Sequence, residues 1–188
     1  DLKRRDFTIN AIAISINTKN FGELIDPFDG LNDLENRIIK TPTNPEITIS
    51  DDPLRILRGV RFSAELNFDI NNSLLNAMIK NCNRIKIVSK ERIVDEINKI
   101  LMTDKPSNGF KLLDKIGLIQ IFIPSLDKLK GIEEIDGITH KDNFYHTLQV
   151  VDNISKVTSK IWLRWAALLH DIGKPNSKRF DKKIGWTF

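Results

Sequence analysis

Apolar and polar residues alternate along residues 9–16, Ile-Asn-Ala-Ile-Ala-Ile-Ser-Ile, a spacing that predicts a half-buried strand. After a polar turn at residues 17–20, Phe21-Gly22-Glu23-Leu24-Ile25 predicts a second, shorter strand. Asp26-Pro27-Phe28-Asp29-Gly30 then supplies turn chemistry, because proline fixes φ and glycine permits positive φ. Residues 31–39 read as a short helix ending near Lys40, and Pro42 and Pro45 mark a linker. From Asp52 onward the period becomes helical. Asp52 followed by Pro53 is a helix start, with an N-cap carboxylate and a proline at the first helical position. Further helices are predicted near residues 71–82, 89–103, 106–116, 143–158 and 161–171. Residues 117–123 fit strand or helix, and Pro124 is expected to stop them. The pattern describes the tail of a small sheet followed by a helical body, an α+β fold that is predominantly α.

Composition narrows the class without fixing it. In 188 residues, 40% hydrophobic and 29% charged side chains match a globular chain rather than a disordered one. No apolar run approaches the roughly 18 residues that span a bilayer, and the opening Asp1-Leu2-Lys3-Arg4-Arg5 has no signal-peptide core. A single cysteine, Cys82, excludes an internal disulfide framework and a cysteine-based zinc cluster. The cytoplasm is the expected address, with no membrane partner. A net charge of +4 and a pI near 9.1 suit a phosphate-bearing partner. Lacking an initiator methionine and opening inside a charged run, the chain reads as an internal segment of a longer protein or one whose ends are not included.

Three groups of residues carry chemistry. In Arg4-Arg5-Asp6-Phe7-Thr8 the two guanidiniums can clamp a triphosphate through paired hydrogen bonds, and the carboxylate can accept from a ribose hydroxyl. The plainer alternative is a basic, solvated strand entry. In Asp51-Asp52-Pro53-Leu54-Arg55-Ile56-Leu57-Arg58-Gly59-Val60-Arg61, Arg55 and Arg58 share a helix face. An Asp and an Arg at a helix start offer acceptors beside a planar fork of donors, which can read the Watson–Crick edge of a base. The plainer alternative makes Asp52 only a cap and the arginines solvated. Third, His146 on one predicted helix and His170-Asp171 at the end of another can form a half-shell of N/O ligands for a divalent transition metal. His140 reads as a core or surface histidine.

Arg-Arg-Asp-Phe-Thr, then Asp-Pro-Phe-x-Gly, then Asp-Asp-Pro-Leu-Arg-Ile-Leu-Arg resembles the motif series of class II tRNA nucleotidyltransferases, the CCA-adding and bacterial poly(A) polymerase family. Ser89-Lys90-Glu91-Arg92-Ile93-Val94-Asp95-Glu96 resembles the family's next helical motif, although alone it is an amphipathic helix with Arg92–Glu96 and Asp95–Lys99 pairs. The resemblance implies that Arg5 and Asp6 hold the ribose and triphosphate of the incoming nucleotide. It implies that Asp52 and Arg55 select CTP and ATP, with Arg58 in support, and that the turn from Asp26 to Gly30 is a hinge. Asp51 departs from the family, which often has Glu there. The family's Gly-rich turn and its Asp-x-Asp pair, which hold Mg2+, would precede Asp1, so no catalytic residue is expected among these residues and the segment itself is expected to be inactive in transfer.

The trio His146, His170 and Asp171 resembles the HD phosphohydrolase superfamily, whose last metal-ligating Asp would lie beyond Phe188. The expected organisation is therefore residues 1–46 as the end of a nucleotidyltransferase head, 47–125 as a helical neck that selects nucleotides and binds RNA, and 126–188 as an incomplete HD domain. The resemblance implies template-independent addition of CCA to tRNA from CTP and ATP. Alternatives are a poly(A) polymerase, a CC- or A-adding enzyme, or an HD-type metal phosphohydrolase acting on RNA ends or nucleotides. Lys80, Arg84, Lys86, Lys90, Lys99, Lys105, Lys111 and Lys115 are candidates for an RNA-facing surface. The sequence leaves the oligomeric state open.

Overall fold

Two units make up the computed structural model, Asp1–Ile100 and Leu101–Phe188, and the described residues are 1–131, 134–135, 138–139, 142–177, 179–181 and 185–187. His140 lies outside the described residues, as does part of the segment expected to form the HD domain.

In the first unit, 3-10 turns at Leu2–Arg4 and Thr8–Asn10 lead into a two-residue antiparallel pair, β1 (Ala13–Ile14) with β2 (Leu24–Ile25). The expected strand over 9–16 is thus shorter and begins as a 3-10 turn. Its alternation does not bury one face: Ala11 is buried, but Ile14, Ile16, Phe21, Leu24 and Ile25 are exposed. α1 (Gly30–Glu35) ends earlier than expected, because Arg37 takes a positive φ of 56° and turns the chain into β3 (Ile38–Ile39). The residues read as a linker contain a helix, α2 (Pro45–Asp51), where Asn44 accepts the Glu46 amide and Pro45 occupies the first position.

α3 (Leu54–Leu66) follows at once. Its cap is shifted by one residue from expectation: Pro53 is the N-cap, while Asp52 Oδ1 still accepts the Leu54 amide at 3.1 Å. α3 turns Ile56, Leu57, Val60 and Ala64 inward and ends at Asn67, whose φ of 55° lets the chain reverse. The return places β4 (Asp69–Ile70) parallel to β3, with Ile38 opposite Asp69 and Ile39 opposite Ile70. α4 (Asn72–Asn81), capped by Asn71, packs on α2, and Glu46 accepts from both Lys80 and Asn81. A 3-10 stretch, Cys82–Ile87, leads to α5 (Lys90–Leu101). Fully buried Phe7 meets Phe62 edge-on at 5.8 Å and passes so close to Gly59 that a Cβ there would stand 3.2 Å from its ring. That packing fixes residues 4–8 against the first turns of α3.

The second unit stacks α6 (Pro106–Ile116), α7 (Leu118–Phe122), α8 (Pro124–Asp127), α9 (Asn143–Ser155) and α10 (Ile161–Leu169) around Phe110, Leu113, Leu118, Leu126, Phe144, Leu148 and Leu168. Residues 117–123 are helical. Pro124 opens the next turn rather than ending structure, as a proline at a first helical position does. β5 (Glu134–Ile135) pairs with β6 (Ile138–Thr139), and after α11 (Lys174–Ser177) β7 (Arg179–Asp181) pairs with β8 (Gly185–Thr187); neither hairpin was expected from the pattern. Arg164, 5% exposed, donates to the carbonyls of Thr158, Leu101, Thr103 and Ser155. The described chain is mostly helical with small two-stranded sheets, as the pattern predicts.

Candidate functional site

A cleft of about 250 Å³ opens in the first unit, lined by Arg4, Arg5, Asp6, Asp52, Leu54, Arg55, Arg58 and Arg92. Every nucleotide-binding residue expected from the sequence lies on it: Arg5, Asp6, Asp52, Arg55 and Arg58. Three chain segments far apart in sequence supply it: residues 4–6, residues 52–58 at the start of α3, and Arg92 on α5. Five arginines face two carboxylates, so the cleft favours an anion.

Asp6 is 7% exposed and is saturated by protein donors. Its Oδ2 accepts Arg58 Nε at 2.8 Å and a second Arg58 nitrogen at 2.6 Å. Its Oδ1 accepts the Phe7 amide at 3.0 Å and Asn10 Nδ2 at 3.3 Å. Those four donors match the roughly four lone-pair positions of a carboxylate. The guanidinium of Arg58 is thereby held in one orientation. Arg55 is anchored differently, donating to the Thr48 carbonyl at 3.0 Å and the Arg4 carbonyl at 2.7 Å, which leaves part of its five-donor fork unspent. Arg5 is exposed at the cleft edge.

Asp52 uses Oδ1 on the Leu54 amide and Oδ2 on Arg92 at 3.0 Å. Arg92 is a cleft residue that the sequence did not reveal. Local spacing pairs it with Glu96, but Glu96 instead accepts from Arg61 at 2.8 Å and Lys99 at 3.0 Å. Only the second local pair forms, Asp95 with Lys99 at 2.6 Å. Arg61 also lies 4.0 Å over the Phe62 ring.

The corner at Asp26 to Gly30 is closed by two backbone donors, Gly30 onto Asp26 Oδ1 at 2.8 Å and Leu31 onto Oδ2 at 2.9 Å. The Leu31 and Gly30 amides hold Asp26 below the usual carboxylate range. Gly30 is needed for a close approach, since a Cβ would stand 2.3 Å from the Thr8 carbonyl oxygen. Thr8 in turn donates to Asp33 Oδ2 at 2.7 Å, so the corner is fastened to the segment carrying Asp6.

In the second unit His146, His170 and Asp171 converge, their ligand atoms within 4.8 Å of one another. His146 lies on the second turn of α9 and His170 closes α10. The rings meet edge-on with centroids 6.1 Å apart. His170 Nδ1 stands 2.7 Å from the Ala167 carbonyl, so the Nδ1–H tautomer donates there and leaves Nε2 for a ligand. Asp171 is buried and its Oδ2 lies 3.2 Å from His170 Nε2. Two imidazoles and a carboxylate with a fixed tautomer suit a divalent transition metal.

Among the residues proposed to face RNA, Lys80 is paired with Glu46, Lys99 with Asp95 and Glu96, and Arg84 with Ser50. Lys86, Lys90, Lys105, Lys111 and Lys115 are exposed.

Three family models match in order: the poly A polymerase head domain over residues 1–40, the probable RNA and SrmB-binding site of polymerase A over 67–130, and the HD domain over 143–187. The chain is 44% identical over 140 residues to a CCA-adding enzyme of Streptococcus gordonii, covering 72% of this chain and 34% of that protein. It is 31% identical to an A-adding tRNA nucleotidyltransferase of Deinococcus radiodurans, covering 98% of this chain and 43% of the relative. The Bacillus stearothermophilus CCA-adding enzyme in complex with CTP superposes with a TM-score of 0.73 at 31% identity, over 92% of this chain and 39% of that one. A tRNA nucleotidyltransferase complexed with a primer tRNA and an incoming ATP analog superposes with a TM-score of 0.68 at 30% identity, over 90% and 49%. The chain thus spans well under half the length of the curated relatives it matches.

Proposed function

Because the chain belongs to the class II CCA-adding and poly(A) polymerase family, with head, RNA-binding and HD segments in order, we propose that it forms the nucleotide-selecting part of a tRNA nucleotidyltransferase that adds CCA from CTP and ATP. One observation carries this reading: residues 4–6 and the start of α3 converge on a single arginine-rich cleft. We divide the chain at 1–46, 47–125 and 126–188 into head segment, neck and HD segment, and place the protein in the cytoplasm. Among the described residues no helix is long and apolar enough to cross a membrane.

Arg4, Arg5 and Arg58 face the triphosphate. Asp6 holds Arg58 in place, and its Asn10 contact, the longest of the four at 3.3 Å, is the one a ribose hydroxyl displaces. CTP and ATP both present an amino donor beside a ring-nitrogen acceptor. The free lone pairs of Asp52 accept the amino group, and the unspent donors of Arg55 reach the ring nitrogen; UTP and GTP present the reverse pattern. Transfer itself would need Mg2+, which would neutralise charge on the transferring phosphate; the residues of this cleft bind and select the nucleotide. The Asp26–Gly30 corner serves as the hinge of the head segment. Exposed Lys86, Lys90, Lys105, Lys111 and Lys115 face the tRNA.

Calorimetry with CTP, ATP, UTP and GTP tests the cleft: CTP and ATP are expected to bind more tightly, and equal affinities would remove the base-reading role. With trimmed tRNA, the complete protein is expected to require both CTP and ATP. A long tract built from ATP alone on any RNA would assign a poly(A) polymerase, and use of one nucleotide step only would assign a CC- or A-adding enzyme, as in the Deinococcus relative.

A second reading belongs to the second unit and rests on the His146, His170 and Asp171 cluster. These residues would hold a divalent transition metal, which would supply hydrolysis of phosphate esters on RNA ends or nucleotides. Metal-dependent release of p-nitrophenol from bis(p-nitrophenyl) phosphate, lost in His170→Ala, is the expected result.

A further inference from the structure

Asp171 is the most enclosed member of the His146–His170–Asp171 cluster, and one of its oxygens is shared. Oδ2 lies 3.2 Å from His170 Nε2 and 2.7 Å from Lys174 Nζ. The second contact follows from the local backbone. The chain turns after His170, the Lys174 amide donates to the Asp171 carbonyl at 3.0 Å, and α11 begins, so the two side chains stand three residues apart on one turn. The ammonium therefore rests on the same carboxylate oxygen that faces the His170 imidazole. A carboxylate only 6% exposed is costly without a counter-charge, so this contact is not the weak ion pair of an open surface.

We propose that Lys174 is an internal counter-cation of the metal centre, neutralising Asp171 when no metal is bound and giving up Oδ2 when a divalent ion is taken by His146, His170 and Asp171. The proposal rests on the metal reading of this cluster. Metal uptake is then an exchange of cations rather than an addition to a bare site. Two consequences follow. Affinity is lowered by the strength of the Lys174–Asp171 contact, and the metal-free cluster keeps its shape instead of drawing apart.

Cobalt(II), read by its visible absorption, tests this on the wild-type chain, Lys174→Met and Lys174→Arg. Lys174→Met is expected to bind cobalt more tightly, by about tenfold or more, to melt below wild type without metal, and to recover most of that difference at saturating cobalt. Lys174→Arg, which keeps the charge and the ion pair, is expected to follow wild type. Tighter binding with an unchanged metal-free melting temperature would mean simple repulsion between ammonium and metal, and overturns the exchange. Equal affinity in wild type and Lys174→Met overturns the exchange while leaving the metal centre standing. Absence of cobalt binding from both, or a signal that survives His170→Ala, removes the metal centre as well.

Discussion

At Asp52 one carboxylate meets two demands, with Oδ1 on the Leu54 amide and Oδ2 on Arg92. Asparagine caps helices about as well as aspartate, so Asp52→Asn is expected to stay near wild-type stability, whereas Asp52→Ala loses about 0.5–2 kcal/mol. Nucleotide choice separates the second demand from the first: an amide turns a donor toward the base where an acceptor is needed. Asp52→Asn is therefore expected to lose the preference for CTP and ATP in calorimetry while its urea midpoint barely moves. An unchanged preference would reduce Asp52 to a cap. Asp26 gives a pH-dependent counterpart. Its folded-state pKa is depressed by the Leu31 and Gly30 amides. The stability it contributes is present above the unfolded value of about 3.9 and is lost as pH falls through the lower folded value. Melting temperatures of wild type and Asp26→Asn are expected to differ by a constant amount from pH 7 to about pH 5, and to converge below about pH 4. A gap that persists in acid would assign the corner to neutral hydrogen bonds.

Helix ends decide much of the second unit. Arg164 spreads its guanidinium over four carbonyls, including Ser155 at the end of α9 and Thr158 in the loop before α10, with no carboxylate among those contacts. Carbonyls at helix ends carry partial negative charge, and a planar fork of donors reaches two of them, Leu101 and Ser155, together with the loop carbonyls of Thr103 and Thr158. Arg164→Met is expected to cost about 3 kcal/mol or more in denaturant unfolding, since several buried acceptors lose their donors. Arg164→Lys should recover only part of it, and full recovery by lysine would show that charge, not geometry, matters. Helices were also the most legible elements in the sequence. Asp52-Pro53, the Asn71 start and Pro106 all announce starts through local chemistry, and the helices found there follow them. α2 is hidden in the sequence because a proline such as Pro45 marks a break as readily as a first helical residue. β3 and β4 have no local signature, being two residues each and paired between residues 31 positions apart in the chain. The cleft was legible as motifs, but the partner of Arg92 was not: an i,i+4 rule favours Glu96, and the fold gives it Asp52 instead. Lys174 stayed unnoticed for a similar reason, because burial of its partner is invisible in a spacing.

Across the whole molecule, the order of the motifs proved more informative than composition. A net charge of +4 is compatible with many soluble chains, yet the head, RNA-binding and HD segments follow one another in the family's order. Their two-unit arrangement keeps the arginine-rich cleft within Asp1–Ile100 and the histidine cluster within Leu101–Phe188, so each can be perturbed without touching the other's ligands. Cobalt is accordingly expected to leave CTP affinity of the chain unchanged, and a shift of more than about threefold would show coupling between the units. The β1–β2 hairpin has a consequence of another kind. Ile16 is 84% exposed and Phe21 78%, with Ile14, Leu24 and Ile25 alongside. In dilute, low-salt solution the positive net charge keeps chains apart; at about 0.1 M salt that repulsion reaches only about 10 Å, and oily contacts then dominate the encounter. The chain should thus behave as a sticky colloid. Its osmotic second virial coefficient, followed by static light scattering, is expected to pass from positive to negative as salt rises, and Ile16→Thr with Phe21→Ser together should hold it positive while the circular dichroism spectrum stays the same.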